Sequence, residues 1–278
     1  MIQQVNNQNI RKEQVHNNDI SYLLDYYNRK GHFPIFQQVL IETRTDCNNH
    51  CPFCPHQFNE KKLGIMTWEC YCRIIDDVVS LGYNGRVALM VSNEPLLEER
   101  LPDMIKYAKA KSPRLFLDIT TNGRLLSLEM VDMLFSIGLD NININDYRGD
   151  RDKAPDGLSK NLQPIYDAYF NNAKITFQRR RFDERWPNYG GNIPQDFDPK
   201  DYGFCNFPFR KLNIAYNGDV ILCCDDFMYG TFFGNVNEKS LLDCWNDDNY
   251  NEYRLALLEN KRIGICAKCN DGQSYSVF

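Results

Sequence analysis

The chain has 278 residues, a formal charge of −5 and eleven cysteines. That charge provides no overall field to draw in nucleic acid or an anionic membrane surface, so a small or neutral partner is expected. No run of about 18 apolar residues occurs, and the polar start of the chain lacks the apolar core of a signal peptide, which points to a soluble, cytoplasmic protein. In a reducing compartment, so many cysteines argue for metal ligation rather than disulfides.

In chain order, residues 1–35 read as a polar N-terminal extension. From 36 to 185, short apolar runs alternate with amphipathic stretches, the pattern of β-α units around a parallel sheet. Strands are expected at Val39 to Thr43, Val87 to Val91, Leu115 to Thr120, Asn141 to Asn145 and Ile175 to Phe177. Trp68, Cys72, Ile75 and Val79 recur at helical spacing between Thr67, a candidate N-cap, and Gly82 just past the end. Leu101, Met104, Ile105 and Ala108 form a second stripe, and Met130, Leu134 and Ile137 a third, between Ser127 and Gly138. The fold class expected is α/β, a partial (β/α)6 TIM-like barrel whose functional groups sit on loops after the strands. Residues 186–204, rich in Pro and Gly, read as a linker. Residues 205–278 form a small appendage: a hairpin turning at Asn217-Gly218, then one helix from Ser240 to Leu258. With so little apolar surface, that appendage needs a metal staple.

The cysteines fall into two tight patterns. Cys47-x3-Cys51-x2-Cys54 follows the first strand, while Cys205 precedes Gly218-x4-Cys223 and Cys266-x2-Cys269. Zinc is the rival ligand, but three cysteines leave one metal position unfilled, which a structural zinc site does not tolerate. A [4Fe-4S] cube can leave one iron open to an exchangeable ligand. Cys224 could replace Cys223 as a ligand. Cys70 and Cys72 read as packing residues, and Cys224 or Cys244 could instead donate a hydrogen atom to a substrate radical. His50 and His56 read as solvated or outer-shell groups. The run Arg179 to Arg181 is either a solvated charge cluster or a site for an anionic substrate group.

The segment Cys47-Asn48-Asn49-His50-Cys51-Pro52-Phe53-Cys54 resembles the cluster motif of the radical S-adenosylmethionine (SAM) superfamily, with Phe53 at its usual aromatic position. Ser92-Asn93-Glu94-Pro95 is similar to that family's Gly-Gly-Glu-Pro, and Thr120-Thr121-Asn122-Gly123 to its Thr-Asn-Gly turn. The resemblance implies a first [4Fe-4S] cluster whose open iron holds SAM. It implies that Phe53, Asn93, Glu94, Thr121, Asn122, Asn143 and Asn145 contact the cofactor, and that a reducing protein such as flavodoxin or ferredoxin supplies electrons. The C-terminal spacing resembles SPASM/twitch extensions, of which the shorter twitch form fits better. This implies a second, auxiliary [4Fe-4S] cluster fully ligated by Cys205, Cys223, Cys266 and Cys269, serving electron transfer or structural stapling.

In size and layout the chain resembles the group of 2-deoxy-scyllo-inosamine dehydrogenases, which implies oxidation of a sugar or aminocyclitol alcohol with the auxiliary cluster taking the second electron. Where that group carries Asn-Arg-Gly-Gly, this chain has Asn188-Tyr189-Gly190-Gly191. Tyr189, with a depressed pKa, or Arg181 would then be the group that removes the hydroxyl proton. The alternative is modification of a ribosomally made peptide; the 35 or so polar residues before the barrel are too few for a leader-binding module. A non-catalytic redox protein is disfavoured by the matches at Glu94 and Asn122.

Overall fold

The computed structural model describes residues 17–59, 61–147, 158–179, 186–195 and 204–271. Helix α1 (17–30) precedes strand β1 (Gln38–Ile41). Next come α2 (Trp68–Ser80), β2 (Arg86–Ala88), α3 (Leu101–Lys111), β3 (Phe116–Thr121), α4 (Leu128–Ser136), β4 (Asn141–Asp146), α5 (Gln163–Ala168) and β5 (Ile175–Arg179). The C-terminal part contributes α6 (Phe207–Arg210), β6 (Lys211–Ile214), β7 (Val220–Ile221), α7 (Leu241–Trp245) and α8 (Asp248–Leu258).

One sheet holds all seven strands in the order β5-β4-β3-β2-β1-β6-β7. Strands β1 to β5 pair in parallel, each with its sequence neighbour. The sixth parallel strand does not follow β5. It is β6, which pairs with β1 from Gln38↔Lys211 to Ile41↔Ile214, and β7 returns antiparallel to it. The hairpin expected in the appendage therefore joins the main sheet. Its turn is as expected, with Gly218 at φ +90°, and a Cβ there would meet the side chains of Asn235 and Asn237.

The period of two along the strands separates two environments. Val39, Ile41, Val87, Leu117, Ile119, Ile142 and Ile144 pack under the helices in the main core. Leu40 and Ala88 face the interior with Val91. Lower in that interior, Arg86 binds Asp118 through Nε at 2.7 Å and Gln38 at 3.1 Å.

Two helices start at the expected caps, Thr67 accepting from Cys70 N–H and Ser127 from Met130 N–H. The stripe of α2 differs from expectation. Cys70, Tyr71, Ile74, Ile75 and Val78 are buried, while Trp68 sits half-buried against Tyr71 and Tyr107. In α4, Val131 and Leu134 carry the burial and Met130 and Ile137 flank it. The single helix expected over Ser240 to Leu258 is two, broken at Asn246-Asp247, where Asp247 caps α8 by accepting from Asn249 N–H. Arg254 bridges the break. Fully buried, it lies over the rings of Trp245 (3.8 Å) and Tyr250 (3.7 Å) and donates to the carbonyls of Trp245 and Pro208 at 2.6 and 2.8 Å. Among the described residues, no helix is long and apolar enough to cross a membrane.

Candidate active site

Beyond the C-terminal ends of the strands lies a cavity of about 320 Å³ lined by Cys47, Cys51 and Cys54. Strand β1 leads into this loop, and Cys54 N–H donates to the Cys51 carbonyl at 3.0 Å before a short 3-10 turn at Pro55–Gln57. Asn49 Nδ2 donates to Cys51 Sγ at 3.1 Å. Burial pushes the Cys47 thiol up to about 11 and raises that of Cys54. The metal-free thiols are thus protonated, and binding a cluster must release their protons.

Glu94 organises the neighbouring wall. Its Oε1 accepts from Thr121 Oγ1 at 2.6 Å and Leu96 N–H at 3.1 Å, and its Oε2 from Asn122 N–H at 2.8 Å. Burial raises its pKa, opposed by these donors. A carboxylate offers about four acceptor sites, so one remains on Oε2 for a cationic amine. Asn122 Nδ2 donates to Asn48 at 2.7 Å and lies 3.8 Å from Cys47 Sγ, linking the β3 turn to the cysteine loop. Asn93 and Asn145 also line the cavity, and each has a buried polar atom (Nδ2 and Oδ1, respectively) with no hydrogen-bond partner in the protein. Such orphaned atoms fit a polar ligand.

Phe53 stacks on Trp186 with centroids 3.6 Å apart and planes 8° from parallel, with Tyr147 at 5.1 Å. Of the two alternatives for His56, solvated or supporting the site from outside, the structure shows the second. Its Nε2 bonds to the Ser92 carbonyl at 2.7 Å, and burial lowers its pKa, so it is the neutral Nε2–H tautomer that donates there.

The second cysteine set lies behind the far wall. Cys223 is within electrostatic reach of Cys205 and Cys266, and Cys269 of Cys205; burial first raises these thiols, followed by the Asp225 charge for Cys223 and Cys269 and by Cys205 for Cys266. Among the described residues no three such side chains are close enough to hold a single metal ion. That does not exclude a cubane, which spreads its ligands over four corners. Cys224 turns the other way, into the front cavity against Leu40, Ala88 and Val91. Of the two adjacent cysteines, Cys223 is near both Cys205 and Cys266, while Cys224 lines the cavity and is near Cys205.

The linker closes this wall. Asn188 and Asn270 exchange hydrogen bonds of 2.6 and 3.0 Å, and Gly190 N–H donates to Cys269. At Gly190 (φ +63°) a Cβ would lie 2.8 Å from Ile265 and 3.2 Å from the Asp225 carbonyl, which explains the glycine. Tyr189 lines the cavity, but burial, then the negative charge of Cys54 and Asp225, raises its phenol well above its ordinary pKa. The depressed value that a proton-accepting Tyr189 would need is absent. As a protonated phenol it can donate a hydrogen bond.

Ten residues proposed from sequence thus share one cavity: Cys47, Cys51, Phe53, Cys54, Asn93, Glu94, Thr121, Asn122, Asn145 and Tyr189. Asn143 does not. It lies deeper in the interior, with Nδ2 3.4 Å from Asp118. Arg181 lies outside the described residues. Sequence reading missed Trp186, Phe227 and Asp225, all placed by long-range contacts. Asp225 is 4% exposed and lines the cavity with Asp271; burial and the Asp271 charge push it up to about 7. Its one local signal was a carboxylate directly after a cysteine pair.

Comparison with known proteins agrees with this geometry. Residues 41–155 match the radical SAM superfamily model, and residues 205–270 match SPASM, an iron-sulfur cluster-binding domain. The chain thus carries a radical SAM domain followed by a SPASM domain. The S-adenosyl-L-methionine-dependent 2-deoxy-scyllo-inosamine dehydrogenase of Niallia circulans is 26% identical over 245 residues, 85% of this chain and 94% of that protein. The crystal structure of BtrN in complex with AdoMet and 2-DOIA superposes with a TM-score of 0.75 at 24% identity, covering 87% of this chain and 98% of that one. At that identity the likeness establishes the fold. The PqqA peptide cyclase of Granulibacter bethesdensis is 29% identical over 113 residues, 38% of this chain and 28% of that protein. Both domain matches support SAM and iron-sulfur ligation on this radical SAM protein.

Proposed function

We propose that this protein is a radical SAM oxidoreductase that oxidises an alcohol carbon of a small polyhydroxylated molecule, a sugar or aminocyclitol. The observation that carries the reading is the single cavity bounded by the three-cysteine loop on one side and by Tyr189 and Asp225, in front of the second cysteine set, on the other. Its volume is in the range of small-molecule sites. Similarity to the Niallia circulans dehydrogenase over nearly the whole length supports the same class of substrate.

With clusters bound, the Cys47, Cys51 and Cys54 site would supply the electron that cleaves SAM to methionine and a hydrogen-abstracting 5′-deoxyadenosyl radical, and the Cys205, Cys223, Cys266 and Cys269 site, of the twitch type, would take the substrate's second electron. Glu94 receives the amino group of SAM on its remaining acceptor site, while Asn93 and Asn145 bring their unpaired polar atoms to the same ligand. Phe53 and Trp186 exclude water. Asp225 is placed to accept the hydroxyl proton. Its partners include the Asp271 carboxyl and the thiols of Cys224 and Cys269, the latter two at 3.9 and 3.8 Å, and a Cys269 committed to iron has no proton to give. Tyr189 donates to the substrate oxygen, and Arg181 remains a candidate for binding that oxygen. A flavodoxin or ferredoxin would reduce the first cluster.

The test is to reconstitute the protein with iron and sulfide, then add dithionite, SAM and deuterated candidate substrates. Deuterium in 5′-deoxyadenosine from a cyclitol or sugar carbon is the expected result. Label arriving only from a peptide carbon would transfer the assignment to peptide modification, the activity named for the Granulibacter relative. No 5′-deoxyadenosine at all would overturn both.

A further inference from the structure

A buried carboxylate, a buried ammonium and a half-buried phenol outside the cavity are tied to each other and to its walls. Glu42, the first residue after β1, is fully buried, and its backbone N–H extends the β1–β6 pairing to the Ile214 carbonyl at 2.9 Å. Its carboxylate receives Tyr229 OH and forms an ion pair with Lys61 at 3.4 Å. Lys61, with a side chain 5% exposed, also donates to Tyr229 OH at 2.9 Å. Its ammonium sits 4.1 Å from the ring centroids of both Phe227 and Tyr229. Burying a charge pair is costly unless further hydrogen bonds satisfy both ions, which Tyr229 OH does here for carboxylate and ammonium alike. Tyr229 is further held at φ +56°, a left-handed conformation that a bulky residue rarely adopts.

Each member belongs to a segment that also builds the cavity. Lys61 lies on the chain leaving the Cys54 loop. Tyr229 lies on the loop leaving Cys223, a loop that also touches β2's extension through Ser92 Oγ and the Cys224 carbonyl (3.4 Å). Phe227, held under the ammonium, is itself a wall of the cavity and packs edge-on against His56 at 4.8 Å. The loop's own bracing fixes its shape but not its place on the barrel: Asp226 accepts from Gly230 N–H and Thr231 N–H at 2.6 and 3.0 Å.

We propose that Lys61, Glu42 and Tyr229 are positioning residues that lock the Cys223–Tyr229 loop onto the mouth of the barrel, and so set the separation between the two cysteine sets. The assignment rests on the two-cluster reading above. Lys61 does this because an ammonium can bond the carboxylate and the phenol while two aromatic faces cage it. Tyr229 passes that hold to Glu42 through its hydroxyl.

The test compares reconstituted wild type with Lys61→Met, Tyr229→Phe and the double variant Glu42→Gln/Lys61→Met. In dithionite-reduced protein, magnetic coupling between the two clusters broadens the paramagnetic resonance signal and depends on their separation. The expected result is weakened coupling in all three variants at wild-type iron content. Substrate oxidised per SAM cleaved should fall about tenfold or more, as misplacement by an ångström can cause. The double variant leaves no lone buried charge, so it should recover the melting temperature lost in Lys61→Met without recovering the coupling. Unchanged coupling in Tyr229→Phe and in the double variant would overturn the proposal. Iron content that does not match two cubanes would instead defeat the two-cluster reading. The positioning role is then decided by hydrogen exchange in metal-free protein, where Tyr229→Phe should accelerate amides 223–231 selectively, and uniform exchange would refute it.

Discussion

Replacing Glu94 with Gln tests whether this carboxylate is a ligand for the amino group of SAM or only a brace between two loops. In the protein it accepts three hydrogen bonds at 2.6, 2.8 and 3.1 Å while 2% exposed. A glutamine cannot reproduce them. With its oxygen toward Thr121 and Leu96, its amide nitrogen faces Asn122 N–H, donor against donor; flipped, it abandons two donors instead. One unpaired buried donor costs about 1–3 kcal/mol of stability, which a thermal melt of the metal-free protein will show. A structural brace predicts that loss and nothing more. The ligand role adds the loss of a hydrogen bond between ions, worth about 1.5–3 kcal/mol, or roughly a ten- to hundredfold weaker SAM dissociation constant by calorimetry on reconstituted protein. Thr121→Val is the control, since it removes the 2.6 Å bond and keeps the charge. Destabilisation of Glu94→Gln with an unchanged SAM dissociation constant would refute the ligand reading.

Cys223→Ala should lose the iron of the second set while Cys224→Ala keeps it, measured as iron and sulfide per chain, because Cys223 lies near both Cys205 and Cys266 whereas Cys224 lines the front cavity. Arg86→Met strips a partner from Asp118, which is 1% exposed, and should cost about 3 kcal/mol, at the lower end for buried pairs because Arg86 is a third exposed. Adding Asp118→Asn should restore most of the melting temperature. The pH dependence has a definite sign. Burial already raises the Asp118 pKa above its ordinary value despite Arg86, and removing Arg86 raises it further. Folded Arg86→Met therefore binds more protons than the unfolded chain, so its deficit is full above the raised pKa and shrinks as pH falls through it. A deficit that grows on acidification would contradict this account.

What the sequence disclosed followed from local rules. The Cys47–Cys54 spacing, the caps at Thr67 and Ser127 and the Asn217-Gly218 turn depend on neighbouring residues alone, and each stands where local chemistry puts it. Depth along a strand was not local. Asn143 and Asn145 share the inward face of β4 by period two, but only Asn145 reaches the cavity, while Asn143 meets Asp118 one step deeper. The break at Asn246-Asp247 was hidden because Trp245 and Tyr250 continue an apolar pattern across it, and only the buried Arg254 shows why the chain can turn there. Trp186, Phe227 and Asp225 come to the site through tertiary contacts that no spacing encodes.

The place of β6 explains why two cysteine sets so far apart in sequence flank one cavity. Without a partner on its free side, β1 would be an edge strand presenting unpaired backbone groups, and β6 covers it in parallel over four residues. The C-terminal region packs Leu212, Ile214, Val220, Leu222 and Trp245 into the main core, and the barrel strand beside it supplies the template for its own strand. One set of backbone hydrogen bonds thus satisfies both needs. It also anchors the roots of the two cysteine loops by strand spacing rather than by the linker, because β1 runs directly into the Cys47 loop and the β6–β7 hairpin runs directly into Cys223. The placing of the loop beyond Cys223 is left to the Lys61, Glu42 and Tyr229 contacts. The linker is then free to carry chemistry, and residues 188–191 use that freedom to bond Asn270 and Cys269 and to present Tyr189 to the cavity.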